Sequence, residues 1–152
     1  MEINEMTREE CGAFLEHASL GRLGCSNENR PYVVPIHLAY ADGYVYVFST
    51  FGQKVEWMRA NPNVCVQTDE IQNQSKWISV IICGEYEELP EPQYTAERKH
   101  AISLLAKRYR WWLNALGQRQ MTVGENSIEP LLFRVGVQSM SGLHATEVKD
   151  EV

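Results

Sequence analysis

The sequence predicts a mainly β fold of the α+β type, an antiparallel barrel carrying peripheral helices. Two turn signals, Asn27-Glu28-Asn29-Arg30 and Asp42-Gly43, separate segments rich in aromatic and β-branched residues, the signature of consecutive hairpins. Residues 31–40 alternate, with Tyr32, Val34, Ile36, Leu38 and Tyr40 on one face and Val33, Pro35, His37 and Ala39 on the other, the period of a strand. Strands do not alternate with helices along the chain, and neither GxGxxG nor GxxxxGK[ST] occurs. A doubly wound nucleotide fold is therefore disfavoured.

The elements follow in order. Thr7 with Glu10 three residues on forms a capping box, and Cys11, Phe14, Leu15 and Ala18 recur at helical spacing, giving a first helix over 7–18. Strands are expected over 19–26, 31–40 and 44–49, with Pro35 marking an edge or bulge because it cannot donate to a ladder. A short helix over 52–60 ends at Asn61-Pro62, since the residue before proline resists helical geometry. Strands over 63–69 and 77–89 flank a polar loop at 72–75, and Gly84 interrupts the second. The longest helix is expected over 94–116, with a stripe of Ile102, Leu105, Tyr109, Trp112, Leu113 and Leu116 and Gly117 placed to end it. Within it Trp112 reads as core, and Trp111 as partly exposed or at a subunit interface. A last strand covers 131–140.

Composition narrows the class. The 152 residues suit one domain, and 44% hydrophobic with 22% charged residues is the balance of a soluble globular chain. The formal charge of −6 argues against nucleic acid. The basic cluster Lys99, Lys107, Arg108 and Arg110 reads as a solvated helix face. No apolar run reaches the roughly 20 residues of a membrane span, and the acidic, polar start does not read as a signal peptide. The expectation is a cytoplasmic protein with no membrane partner. Cys11, Cys25, Cys65 and Cys83 lie far apart without a CxxC pair, so reduced thiols are expected and no metal site.

One stretch carries chemistry. Ser49-Thr50-Phe51-Gly52-Gln53-Lys54 leads from a strand into a helix. The first N–H groups of a helix lack partners and sit at the positive end of its dipole, which makes an anion site. Two hydroxyls, a glycine that admits close approach and the compact charge of Lys54 suit a phosphate, which carries about −1.5 to −2 charges near neutral pH. Ser, Thr and Gly are also ordinary helix-start residues, so local spacing leaves both readings open.

The ordered set YVVPIHLAYADGYVYVFSTFGQKVEWMRANPNVCV (32–66) and WISVIICGEYEEL (77–89) resembles the pyridoxamine 5′-phosphate oxidase-related, FMN-binding split β-barrel family. Within it the chain is similar to the branch that includes the nitroimidazole-resistance proteins. The resemblance covers about residues 7–142, from a GxL at Gly21-Arg22-Leu23 to a closing strand ending at Ser141-Gly142, and leaves 143–152 as a tail. It implies a split barrel that binds FMN and forms a homodimer with cofactor sites built from both subunits. Ser49, Thr50, Gln53 and Lys54 would meet the phosphate and ribityl end. Val34, Pro35 and Ile36 would line the flavin ring, partly through backbone groups, and Trp77 and Ser79 would face it across the dimer interface.

There are two departures. Gln53-Lys54 stands where the family's oxidases carry Arg-Lys, one cation fewer, with Arg22 a candidate to compensate. Phe48 or Ser49 stands where the nitroimidazole-resistance proteins carry a histidine.

The function implied is an FMN-dependent oxidoreductase acting on a small molecule, with no catalytic residue assigned. The alternative is a carrier or sensor without turnover, binding flavin or haem, since related split barrels bind haem or a deazaflavin. His37 or His144 would then be a candidate iron ligand. A barrel without cofactor is the third reading. His37 otherwise reads as a hydrogen-bonded histidine at the sheet rim, and His144 as an exposed tail residue.

Overall fold

The computed structural model describes residues 1–108 and 130–149. The chain runs β1 (Glu2–Glu5), α1 (Arg8–Leu15), β2 (Leu20–Asn27), β3 (Arg30–Ala41), β4 (Tyr44–Thr50), α2 (Gln53–Ala60), β5 (Asn63–Asn73), β6 (Lys76–Glu88), α3 (Thr95–Ala106) and β7 (Pro130–Thr146). The sheet order is β1-β7-β4-β3-β2-β5-β6, and a β7–β6 pairing closes it into a barrel. Among the described residues every strand pairing is antiparallel.

Turn chemistry sets the hairpins. Glu28 (φ 50°) and Asn29 (φ 64°) turn β2 into β3, and Asp42 (φ 51°) and Gly43 (φ 81°) turn β3 into β4. Positive φ at both central residues matches the right-handed twist of the flanking strands. Each strand then sends alternate residues inward. Leu23, Cys25, Ile36, Leu38, Val45, Val47, Val64, Val66, Val80, Ile82, Phe133 and Val135 fill the interior. Two helices plug its ends. Cys11 and Leu15 of α1 enter at one end, and Val55 and Met58 of α2 at the other, all fully buried.

The α1 start is held as the sequence predicts. Thr7 Oγ1 accepts from the Glu10 N–H at 3.1 Å, and the Thr7 N–H donates to Glu10 Oε1 at 3.0 Å. Gly142 of β7 admits α1, because a Cβ there would come within 2.8 Å of Cys11 Sγ and 2.9 Å of Met6 Sδ. A second apolar cluster lies outside the barrel. It packs Ala101 and Leu105 of α3 against Ala39, Tyr46 and Leu132, with Leu89 beside them. This is why β3 is buried on both faces from Ile36 to Ala39.

Several elements differ from expectation. α1 ends at Leu15 rather than 18. β1 was not expected; its EINE sequence is exposed throughout and has no apolar pattern. It exists because β7 continues past Met140 to Thr146 and offers an edge, pairing Glu2↔Thr146 through Glu5↔Leu143. Residues 143–146, read as tail, are therefore strand. β5 and β6 extend to a tight turn where a four-residue loop was expected, with a register shift between Ile71 and Asn73. α3 ends at Ala106, with Lys107 as C-cap. Ile102 is 53% exposed, because α3 turns Ala101 and Leu105 to the sheet instead. Tyr109, Trp111, Trp112, Leu113, Leu116 and Gly117 lie outside the described residues.

Candidate functional site

The barrel opens along one seam. β3 and β4 pair from Ala41↔Tyr44 to Leu38↔Val47 and no farther. Beyond that point β4 continues beside β7, through Phe48↔Leu132, Ser49↔Leu131 and Thr50↔Pro130, while residues 30–37 of β3 pair with β2. Among the described residues no strand meets the second edge of β3 over 30–37. Val34, Pro35 and Ile36 form one lip of this seam and Phe48 to Thr50 the other. An unpaired strand edge presents backbone N–H and C=O groups to whatever lies in the opening.

The lips differ in what they present. Ile36 is buried and Val34 half-buried, both turned to the core, whereas Pro35 is exposed on the outer face. Side chains of Val34 and Ile36 therefore belong to the interior, leaving their backbone and the Pro35 ring at the seam. Ser49 is buried, and its hydroxyl donates to the Thr50 carbonyl at 3.2 Å. Ser49 follows Val45 and Val47 toward the interior. Thr50, its neighbour on the strand, points the other way.

The seam ends at the start of α2. Gly52 is the N-cap, in extended geometry, and among the described residues no side chain caps the helix. Its first N–H groups thus keep their capacity for an external acceptor. A Cβ built on Gly52 meets nothing within 4 Å, so the space before the helix is open. Gln53 is exposed and Lys54 half-buried in the first turn, and the Lys54 charge acts on the nearby Cys25 thiol. Burial is the larger influence there and pushes that thiol up. The other cation of α2, Arg59, is engaged elsewhere. It pairs with Glu88 of β6 and lies 5.0 Å over the Phe51 ring, and the Tyr86 hydroxyl donates to the same carboxylate at 2.7 Å. These contacts anchor the corner to β6.

Trp77 and Ser79 lie elsewhere. Register partners on adjacent strands share a face, so Pro35, Arg22, Gln67 and Ile81 form a row across the outside of β3, β2, β5 and β6. Arg22 donates to Gln67 Oε1 at 3.3 Å and to Asp69 Oδ2 at 3.2 Å. Gln67 Nε2 donates to Asp69 Oδ2 at 2.9 Å and to Ser79 Oγ at 3.1 Å. Ser79 is thereby joined to the Pro35 face by a polar network. Trp77 is near the β5–β6 turn, opposite Ile71 and Ala145. It is 11 residues from Glu88, which contacts α2, so roughly 35 Å of strand separates it from the corner.

The structure therefore gathers Val34, Pro35, Ile36, Ser49, Thr50, Gln53 and Lys54 around one seam and leaves Trp77 at the other end of the barrel. Arg22 is bound into the polar network rather than the corner. The network's Gln67 and Asp69 were not singled out from the sequence; the alternation of β5 puts both on the face opposite Val64, Val66 and Thr68.

His37 is 2% exposed, and its Nε2 lies 3.3 Å from the Leu105 carbonyl. It is hydrogen-bonded as expected, but on a sheet face that α3 covers rather than at an exposed rim. His144 lies on β7 and lines a cavity beside α1. Among the described residues no group of three His, Cys, Asp or Glu could hold a metal, and no helix is long and apolar enough to cross a membrane.

The pyridoxamine 5′-phosphate oxidase family profile matches residues 7–142. An uncharacterized protein of Rhizobium meliloti is 43% identical over 113 residues, 74% of this chain and 75% of that protein. The crystal structure of an FAD-binding protein from Mesorhizobium loti superposes with a TM-score of 0.79 at 38% identity, covering 97% of this chain and 99% of the other. A Bacteroides thetaiotaomicron structure assigned to 5-nitroimidazole antibiotic resistance shares the fold, with a TM-score of 0.64 at 20% identity over 95% and 89% of the two chains. With the split barrel and these matches together, the chain belongs to the pyridoxamine 5′-phosphate oxidase family.

Proposed function

We propose that this protein is a flavin-dependent oxidoreductase that holds FMN in the barrel's seam and acts on a small molecule as a cytoplasmic homodimer. The observation that carries the reading is the N-terminus of α2, uncapped among the described residues and opening beside the edge of β3 that no described strand meets. The α2 N–H groups, Thr50 and Gln53 would receive the phosphate, with Lys54 supplying charge and Ser49 supporting the turn from inside. The backbone edge at Val34–Ile36, which no described strand pairs, would meet the polar rim of the ring. The FAD-binding relative from Mesorhizobium loti supports a flavin, and the compact phosphate corner favours FMN.

The homodimer is supported by the separation of the corner from Trp77 and Ser79. A second subunit could present its Trp77 and Ser79 face where the first leaves the ring uncovered. Exposed Val33, Ile81 and Leu143 on the outer face give such a contact apolar area. The flavin supplies the redox chemistry; the chain binds it, orients it and screens it from water. A cytoplasmic location accords with four cysteines held as thiols.

The test is the visible spectrum of the purified protein with the mass of any released chromophore. A flavin band and the mass of FMN are expected. A colourless protein that binds neither FMN nor FAD at micromolar concentration would falsify the reading. Bound flavin that no nicotinamide cofactor reduces would instead establish the carrier without turnover.

A further inference from the structure

A cavity of about 490 Å³ lies at the end of the barrel away from the corner, among α1, the β5–β6 turn and the end of β7. Met6, Phe14, Trp77 and Ile78 make its wall mainly apolar, and Glu10 and His144 add polar groups. That size and make-up suit a small organic molecule.

Glu10 gives the cavity its chemistry. One carboxylate oxygen accepts from the Thr7 N–H, the reciprocal half of the capping box, so the side chain is fixed before any ligand arrives. The backbone and hydroxyl bonds from Thr7 hold its carboxyl below the usual range, leaving it an anion at neutral pH. Glu70 and Lys76, of opposite charge, also line the cavity, and the charge of His144 acts on the Glu10 carboxyl. A fixed carboxylate next to two aromatic rings and a thioether is the setting in which a flat, positively charged molecule is recognised.

We infer that this cavity is a binding site for a planar aromatic cation, stacked on Trp77 and Phe14 with its charged nitrogen at Glu10. The site uses none of the corner residues. It shares Trp77 with the flavin-covering face proposed for the partner subunit, so its test is made on flavin-free protein.

The probe is 4-aminoquinoline, protonated at neutral pH, with neutral quinoline as control, titrated into the flavin-free full chain by calorimetry. Saturable one-to-one binding below about 1 mM is expected. Glu10→Gln keeps the capping box, because glutamine serves at that position, and removes only the charge. It should weaken 4-aminoquinoline about fivefold, the scale of an exposed ion pair, and leave quinoline unchanged. Ala13→Trp, on the exposed side of α1, should fill the cavity and abolish binding of both. Absent saturation, equal affinity in wild type and Glu10→Gln, or unchanged binding in Ala13→Trp each overturns the assignment.

Discussion

Leu38 and Val47 are the last partners that hold β3 to β4; beyond them the two strands part and the barrel opens. Both side chains are fully buried. The seam is therefore rooted in the core and ends where β4 hands over to α2. The local extended geometry of Gly52 and the uncapped helix start give this opening its capacity for an anion.

The corner can be blocked without harming the fold. Gly52 is in extended geometry with open space around a Cβ, so Gly52→Asp should fit and cap α2 itself. A carboxylate in the anion position should raise the melting temperature slightly and weaken FMN binding at least tenfold. Calorimetric titration with FMN beside a thermal melt reads both; a stabilised variant with unchanged FMN affinity would refute the corner.

Lys54→Ala should weaken FMN about tenfold or more, the scale of a hydrogen bond to a charged group. Riboflavin, which lacks the phosphate, should lose much less. Equal losses for the two ligands would show that Lys54 acts on the ring or the fold rather than the phosphate.

Two glycines should respond in opposite directions. A Cβ on Gly84 would sit 2.0 Å from the Gly136 carbonyl oxygen across the β6–β7 register shift. Gly84→Ala should therefore cost about 3 kcal/mol or more. Gly12, inside α1, has nothing within 4 Å of its Cβ position, so Gly12→Ala should stabilise by about 0.5–1 kcal/mol. Urea denaturation midpoints measure both.

Thiol reactivity should divide the cysteines in two. Cys11 and Cys25 are buried, and burial is the main cause that raises both thiols. Cys65 and Cys83, partners across β5 and β6, are exposed on the outer face of the chain. Maleimide followed by peptide mass mapping should label Cys65 and Cys83 before Cys11 and Cys25, which react only after unfolding; slow labelling of Cys65 and Cys83 would put them under the proposed dimer contact beside Val33 and Ile81.

Acid should weaken the clasp between β6 and β7. Arg134 donates to both Glu87 oxygens, at 2.9 and 3.3 Å, and lies 4.0 Å over the Tyr44 ring. The Arg134 bonds hold the Glu87 carboxyl below its usual range. A carboxyl lowered in the folded state contributes stability above its unfolded value near 4.3, and that contribution is lost as pH falls through the folded value. Glu87 is partly exposed, so Glu87→Gln should cost only about 1 kcal/mol at pH 7. The difference from wild type should shrink to nothing in strong acid, as denaturation across pH would show.

The sequence by itself determined the features whose causes are local. Asp42-Gly43 and Glu28-Asn29 set the hairpins through backbone geometry, Thr7 with Glu10 set the start of α1, and Asn61-Pro62 set the end of α2. The alternation of residues 31–40 fixed which side chains of β3 face inward. Local pattern also marked the corner at Ser49–Lys54, since a strand, a glycine and a helix start are read within six residues.

Only the tertiary structure decided what depends on distant partners. β1 is polar and exposed, and forms because an edge of β7 is there to pair with it. His144 is strand rather than tail for the same reason. His37 and Ala39 are buried on a face that alternation alone would leave in water, because α3 covers it, and Ile102 is exposed because that helix turns Ala101 and Leu105 inward. The distance between Trp77 and the corner follows from strand length and closure of the barrel. Hydrogen bonds between strands and packing between layers join residues far apart in the chain, and no local period encodes which of them will meet.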